Sequence, residues 1–388
     1  MASWNPIAIW WRGAGWRMAL RAYIGTHAQI AILVRTSAIP PRVYLDHAAT
    51  SPLRPEAKAA MEEGFRLWAN PSSPHAEGRK ARAALEDARE RIKTALEWDG
   101  ELIFTSGASE SAELVFDYCD VLFHFASAVE HDAIHHQTRF DCYEIPVDPS
   151  GAPDLAWLAG KVPTAKADQF QPSRSLVAVQ QVNSETGTVQ DTDGILALLR
   201  ERDGYLLSDC SQGAGKLPLP ACDMALFSAH KFGGPVGVGA LLVRDFRMLK
   251  ASGGHERGYR RGTENLPGAL GMAAALETGD WATTPAERAR FASALGDHRL
   301  TIGEKVDYIF ALAHPTMSAQ ALLIRLDAMG FAVSAGSACS SGTLKKSRVL
   351  DAFGVPDDVA ARTIRVSLGW NTTPEELERF GEAWASLC

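Results

Sequence analysis

The motif SAHKFGGP at residues 228–235 contains the side chain best suited to covalent chemistry, Lys231. An apolar run at 223–227 precedes it, and a second apolar run at 237–243 follows it. Burial or a cationic neighbour lowers the pKa of a lysine and frees its amine to react with an aldehyde. A solvated loop lysine is the ordinary alternative, so other stretches of the chain must decide between the two.

A second stretch, LIFTSGASES at residues 102–111, predicts an anion site. An apolar strand ends there in a turn of small residues, and a helix begins. The first N–H groups of a helix lack partners within the helix, so the turn at 107–109 can bind a phosphate. No G-K-[ST] follows, which excludes a P-loop.

Polar residues also follow other predicted strands. His131 follows a strand at 126–129, and the motif VNSETG follows one at 175–181. Asp209 ends a strand that begins at residue 204, and Gln212 comes soon after it. Polar side chains at strand carboxyl ends are typical of an open, largely parallel α/β sheet that binds its ligand there.

Composition limits the classes of partner. The chain has 388 residues and a net charge of −7, which argues against a nucleic-acid surface. Its six cysteines show no C-x-x-C spacing, so we expect neither a metal site nor a disulfide framework. Free thiols favour a reducing compartment, and no apolar run predicts a membrane span. We therefore expect a cytoplasmic protein.

The chain divides into three parts by composition. Residues 1–42 contain arginines and tryptophans but no acidic residue, which suits an organelle transit peptide or a membrane-surface segment. We favour a simpler interpretation, an extension upstream of the true start and outside the fold. Residues 43–269 are predicted to form a large domain, of which 43–53 could pack with the small one. Residues 270–388 are predicted to form a smaller α/β domain, which contains a loop of tiny residues around Cys339.

Together these features suit one cofactor. A phosphorylated aldehyde needs helix-end amides for its phosphate and a lysine for its aldehyde. If it has a pyridine ring, a carboxylate keeps the ring nitrogen protonated, so that the ring accepts electrons. The turn at 107–109, Lys231 and Asp209 meet these needs, and the cofactor they predict is pyridoxal 5′-phosphate.

From about residue 43 to about 380, the chain resembles the cysteine desulfurases of the class V aminotransferase group, which are fold type I pyridoxal-phosphate enzymes. The resemblance rests on motifs in the same order: YLDHAATSP, NPSSPH, IFTSGASES, VEH, VNSETG, SDCSQGAGKLP, SAHKFGGPVGVGALLVR, GGHERGYRRGTEN, SAGSACSS and IRVSLG. It departs from the usual pattern at Ser184, Val236 and Trp370, where asparagine, lysine and arginine are common.

The resemblance implies a role for each matching residue. Lys231 would bind the cofactor covalently, Asp209 would pair with the ring nitrogen, and His131 would stack on the ring and move protons. The substrate carboxylate would be bound by Asn183 and Arg365, and Cys339 would be the nucleophile. The remaining cofactor contacts would be Gln212 to the ring oxygen, and Ala108, Ser109, Ser228, His230 and the partner subunit's Thr263 to the phosphate.

The implied reaction converts L-cysteine to L-alanine and leaves a persulfide on Cys339. The enzyme would be a homodimer that passes sulfur to an acceptor, an iron–sulfur scaffold or a sulfur carrier, for cluster assembly or transfer-RNA thiolation. A selenocysteine lyase or an aminotransferase is a second interpretation, which the cysteine in its motif disfavours. A third is a pyridoxal-fold scaffold subunit without activity, which the intact Lys231, Asp209 and His131 disfavour.

Overall fold

The structure is a computed structural model that describes residues 41–138, 142–148, 150–164, 174–335 and 347–388. Residues 1–40 of the predicted extension and Cys339 lie outside the described residues. Among the described residues, no helix combines the length and the apolar character needed to cross a membrane.

Strands and helices alternate through most of the described chain. The strands are β1 Val43–Tyr44, β2 Glu101–Thr105, β3 Phe123–Ser127, β4 Cys142–Ile145, β5 Ser175–Ala178, β6 Tyr205–Asp209, β7 Met224–Ser228, β8 Gly239–Val243, β9 Ile309–Ala313, β10 Phe331–Ala332 and β11 Thr363–Ser367. The helices are α1 Pro55–Leu67, α2 Ala76–Ala95, α3 Ala108–Tyr118, α4 Asp132–His135, α5 Leu155–Lys161, α6 Asp193–Glu201, α7 Leu266–Thr278, α8 Pro285–Ala294, α9 Ala319–Ala328, α10 Arg348–Ala352, α11 Asp357–Ala360 and α12 Pro374–Leu387.

The large sheet has seven strands in the order β2-β8-β7-β6-β5-β3-β4. Neighbouring strands from β7 to β4 are parallel, whereas β8 runs antiparallel to both β2 and β7. Strands β7 and β8 are buried along their whole length, as expected of strands covered on both faces. The predicted fold class, an α/β protein built on a mostly parallel sheet, is confirmed.

A second core forms around the antiparallel pair β9 and β11. Strand β1 pairs in parallel with β10, and its Val43 lies in this second core together with Phe310, Val366 and Phe380. The N-terminal strand thus packs with C-terminal elements rather than with the large sheet.

Helix α7 crosses the predicted domain boundary at 269–270. Its buried residues, among them Leu270 and Ala273, belong to the core beneath the large sheet, where α7 packs against α1 and α2. The second core takes its next contributions from α8, which begins at Pro285. A boundary drawn from core membership therefore falls after Thr278. The sequence does not predict β4, whose Tyr143 and Glu144 are exposed.

Candidate active site

One cavity of about 230 Å³ lies at the carboxyl ends of the parallel strands. It gathers residues from the ends of five different strands and the turns that follow them, as the fold requires of a site at this edge. The residues lining it are Ala108, Ser109, His131, Ala133, Gln180, Val182, Ser184, Asp209, Ser211, Gln212, Ser228, His230 and Lys231.

Lys231 lies in this cavity at the end of a 3₁₀ turn that directly follows β7. Its Nζ donates hydrogen bonds to the backbone oxygens of Ala48 at 2.8 Å and Ala49 at 3.0 Å. Its pKa is lowered from 10.5 to about 8, chiefly by burial and then by the nearby Arg365 guanidinium, against the attraction of Asp209 and Asp46. A substantial fraction of this amine is therefore neutral and nucleophilic near neutral pH.

Asp209 is the last residue of β6 and is 6% exposed. Its Oδ1 accepts a hydrogen bond from the backbone N–H of Ser211 at 2.9 Å, which orients the carboxylate at the cavity wall. Next to it, Gln212 donates from Nε2 to the Ala48 oxygen at 2.9 Å. The Oε1 of Gln212 and the hydroxyl of Ser211 are buried and have no hydrogen-bond partner among the described residues.

His131 caps the N-terminus of α4, because its Nδ1 accepts the backbone N–H of Ala133 at 3.1 Å. In the neutral ring this hydrogen bond assigns the proton to Nε2. Burial lowers the pKa of His131, an effect that Asp209 opposes and Lys231 reinforces. The ring is therefore held neutral in one tautomer, with one nitrogen left for chemistry.

The predicted anion turn has the expected form. Helix α3 begins at Ala108, and the N–H of Ala108 donates to the Ser228 hydroxyl at 2.8 Å. His230 pairs through Nδ1 with the Thr50 hydroxyl at 3.1 Å. Burial lowers the pKa of His230 to about 4, and Lys231 adds to the effect. Hydroxyls, a neutral imidazole and helix-end amides together make a site for a phosphate.

The two residues predicted to bind the substrate carboxylate, Arg365 and Asn183, have different hydrogen-bond partners. Arg365, on β11, donates to the Ser184 oxygen at 2.9 Å and to Asp46 Oδ1 at 2.9 Å. Asn183 does not line the cavity: its Oδ1 accepts from the backbone of Glu185 and Thr186, and its side chain is 1% exposed. The neighbouring Ser184 lines the cavity instead.

The structure does not place Thr263 or Cys339 in this cavity, for different reasons. Thr263 is exposed and does not line it, and Cys339 lies outside the described residues. Sequence reasoning missed Glu130 and Gln180. One carboxyl oxygen of Glu130 accepts the Gln180 N–H at 2.7 Å, and the other is buried with no partner in the part of the chain that the structure describes. Burial raises the pKa of Glu130 well above the ordinary range. In the sequence, the only sign of a role for Glu130 was its position as an acidic residue at the end of an apolar run.

The cavity fits pyridoxal phosphate on structural grounds. It combines a half-buried amine, an anion turn and a carboxylate with polar atoms of Ser211 and Gln212 that have no partner among the described residues. Among the described residues, no cluster of His, Cys, Asp and Glu could hold a metal ion. Such a site at the edge of a mostly parallel sheet defines a pyridoxal-phosphate-dependent enzyme of fold type I.

Comparison with known proteins gives the family. Residues 43–380 match the class-V aminotransferase family. The cysteine desulfurase of Cereibacter sphaeroides is 35% identical over 385 residues, which cover 88% of this chain and 94% of that protein. The cysteine desulfurase IscS of Dictyoglomus turgidum is 33% identical over 375 residues, or 86% of this chain and 91% of that protein.

Comparison with solved structures agrees with this family match. A NifS-like protein from Rickettsia africae superposes with a TM-score of 0.75 at 28% identity, covering 89% of this chain and 99% of that one. SspA, solved in complex with cysteine, has a TM-score of 0.71 at 27% identity and covers 85% of this chain and 100% of that one. The chain belongs to the class-V aminotransferase family, within which these curated relatives are cysteine desulfurases.

Proposed function

We propose that the chain is a cysteine desulfurase that converts L-cysteine to L-alanine and holds the released sulfur as a persulfide on Cys339. The observation that carries the proposal is Lys231, a half-buried amine with a lowered pKa that shares one cavity with Asp209 and His131. Curated relatives with the same activity, matched over most of the chain, support it.

When bound, pyridoxal phosphate withdraws electrons from the α-carbon of an amino acid attached to it. The residues of this chain would supply the rest. Lys231 would bind the aldehyde carbon and, once released by the substrate amine, would take the α-proton on Nζ. Asp209 would pair with the ring nitrogen, and Gln212 with the ring oxygen. The amides of Ala108 and Ser109, with Ser228 and His230, would hold the phosphate.

In this proposal, three further residues would bind and cleave the substrate. Arg365 would bind the α-carboxylate, because its guanidinium adjoins Ser184, which lines the cavity. His131 would move a proton through Nε2. The Cys339 thiolate would attack the substrate sulfur: a sulfur–sulfur bond forms, the carbon–sulfur bond breaks, and the carbon takes a proton to give alanine.

We propose a homodimer, in which Thr263 of one subunit contacts the phosphate bound by the other. Support comes from the exposure of Thr263 and from its absence from the cavity of its own subunit. Sulfur would pass to an iron–sulfur scaffold or a sulfur carrier in the cytoplasm, for cluster assembly or transfer-RNA thiolation. Co-purification with an acceptor and transfer of labelled sulfur to it would test this step.

The test of the activity is a spectrum followed by product assays. The purified protein should absorb in the yellow region typical of a bound pyridoxal cofactor, and wild type should form alanine from cysteine. Cys339→Ala should bind the cofactor but form no alanine. A yellow protein that forms neither alanine nor sulfide from cysteine would contradict the proposal and favour another amino-substrate enzyme, such as a selenocysteine lyase or an aminotransferase.

A further inference from the structure

The guanidinium of Arg365 is held by a carboxylate from the beginning of the fold. Nη2 donates to Asp46 Oδ1 at 2.9 Å and to the Ser334 hydroxyl at 2.9 Å. The same hydroxyl donates to the same Oδ1 at 2.8 Å, which closes a triangle of hydrogen bonds. Arg365 is 5% exposed, so this arrangement is shielded from solvent.

The hydrogen bonds of Arg365 show which part of it remains available. A guanidinium has five N–H groups. The two on Nη2 are used by Asp46 and Ser334, and one on Nη1 donates to the Ser184 oxygen at 2.9 Å. Nε is buried, and no described residue accepts a hydrogen bond from it. Because Ser184 lines the cavity, Nη1 lies beside the cavity wall, and we expect its remaining N–H to be the donor for the substrate carboxylate.

We propose that Asp46 is a positioning residue for recognition of the substrate carboxylate, because it fixes the guanidinium of Arg365 with Nη1 directed to the cavity. This inference rests on the proposed function, in which Arg365 binds that carboxylate. A free arginine side chain samples many rotamers, and ordering it on binding would weaken affinity. Asp46 does this ordering in advance, and Ser334 restrains the carboxylate in turn.

The contact between Asp46 and Arg365 could also have the opposite effect on carboxylate binding, and this makes the proposal testable. If Asp46 merely occupied Arg365 until the substrate displaced it, then removing Asp46 would strengthen carboxylate binding. If Asp46 positions Arg365, then removing it weakens that binding. The quantity that separates the two is the preference for a substrate with a free carboxylate over the matching ester.

The experiment compares kcat/KM of the holoenzyme for L-cysteine and for L-cysteine methyl ester. In Asp46→Ala we expect the preference for L-cysteine to fall about tenfold, roughly the effect of losing one charged hydrogen-bond partner. Asp46→Asn should lose less, because its amide oxygen can still accept from Nη2. Asp46 also influences the pKa of Lys231, but that influence acts on both substrates and cancels in the ratio.

A matched control is Asp307→Asn, which alters another arginine–aspartate pair, formed by Arg288 Nε and Asp307 Oδ2 at 2.9 Å. Arg288 donates to Asp307 and Thr283, neither of which lines the cavity. Arg365 instead donates to the cavity residue Ser184, so the control should leave the preference unchanged. A second readout needs no turnover: calorimetric binding of L-alanine against L-alaninamide to wild type and the Asp46 variants. An unchanged or increased preference for the carboxylate in Asp46→Ala would overturn the inference. Absence of cysteine turnover in wild type would instead contradict the proposed function.

Discussion

At the scale of single residues, the environment of Lys231 determines when its amine can react. Two backbone oxygens accept its hydrogen bonds, and no carboxylate is among the hydrogen-bond partners that the described residues give it. Burial therefore dominates, and the charged form is disfavoured. The amine loses its proton in the range where an enzyme of neutral pH works.

We predict that the cofactor-free protein takes up pyridoxal phosphate at a rate that rises with pH around a midpoint of about 8, the lowered pKa of Lys231. Only the neutral amine attacks an aldehyde, so the rate follows its fraction. Stopped-flow absorbance from pH 6.5 to pH 10 measures it. The Lys231→Ala variant should show no such pH-dependent uptake. A wild-type rate that still rises toward pH 10.5, the ordinary lysine pKa, would contradict the prediction.

A second prediction at this scale concerns Asp209. Asp209→Asn should lower alanine formation by about 100-fold or more, because the charge that keeps the ring nitrogen protonated is lost. The loss of that charge should also lower the pKa values of His131 and Lys231, which it raises. Steady-state assays across pH measure both effects.

The matched control is Asp223→Asn. Asp223 is a buried aspartate just before β7, at the opposite edge of the sheet, where it pairs with Arg200 at 2.7 Å. We expect this variant to lose stability but to keep its turnover. Equal losses of turnover in the two variants would show that Asp209 acts only through the fold.

Much of the site can be predicted from local sequence, because strand ends and helix starts leave local signals. Lys231 and Asp209 follow apolar runs, and α3 begins where the small residues of the turn indicate. Local sequence does not show whether Asn183 or Ser184 lines the cavity. Adjacent residues point in different directions, and only the folded turn decides which of them faces the cavity.

Pairs formed by distant parts of the chain cannot be predicted in this way. Asp46 and Arg365 are 319 residues apart, and no local pattern predicts their contact. The position of α7 is a related case: the sequence changes character near residue 270, but the apolar side chains of α7 complete the core under the large sheet.

At the scale of elements, the start of α3 is packed directly against β8. A Cβ added at Gly239, the first residue of β8, would lie 2.6 Å from the Gly107 Cα and 2.6 Å from the Phe227 oxygen. Both are backbone atoms, so the strand and the anion turn would have to separate. The close approach of these two elements therefore sets the shape of the phosphate site.

We predict that Gly239→Ala weakens cofactor retention by about tenfold, since overpacking of this kind costs roughly 1–3 kcal/mol. Dialysis followed by measurement of the residual yellow absorbance gives the retention. Gly160→Ala, in α5, is the control, because a Cβ there has nothing within 4 Å. If both variants retain the cofactor equally well, the packing of β8 does not determine the phosphate site.

At the scale of the whole molecule, buried neutral histidines make the fold sensitive to acid. His47 is 1% exposed, and burial, with help from Lys216, lowers its pKa from 6.5 to about 3. Between these values the unfolded chain binds a proton that the folded chain does not. Stability is therefore lost as pH falls below 6.5.

We predict that His47→Gln reduces the slope of the free energy of unfolding against pH by up to about 1.4 kcal/mol per pH unit. Denaturant unfolding at several values from pH 7 to pH 4 gives the slope. The slope is the informative quantity, because the Gly369 backbone lies close to the His47 ring and the substitution can lower stability at every pH. Parallel pH curves for the two proteins would contradict this prediction.

The pairing of β1 with β10 has a consequence for the order of folding during synthesis. The ribosome makes Val43 early and Phe331 late, so β1 has no partner strand until most of the chain has emerged. The large sheet, by contrast, is complete once β8 has been made. Ala48 and Ala49, whose oxygens hold Lys231, follow β1 closely and are secured with it. The nascent chain can thus form its largest core before it completes its active site.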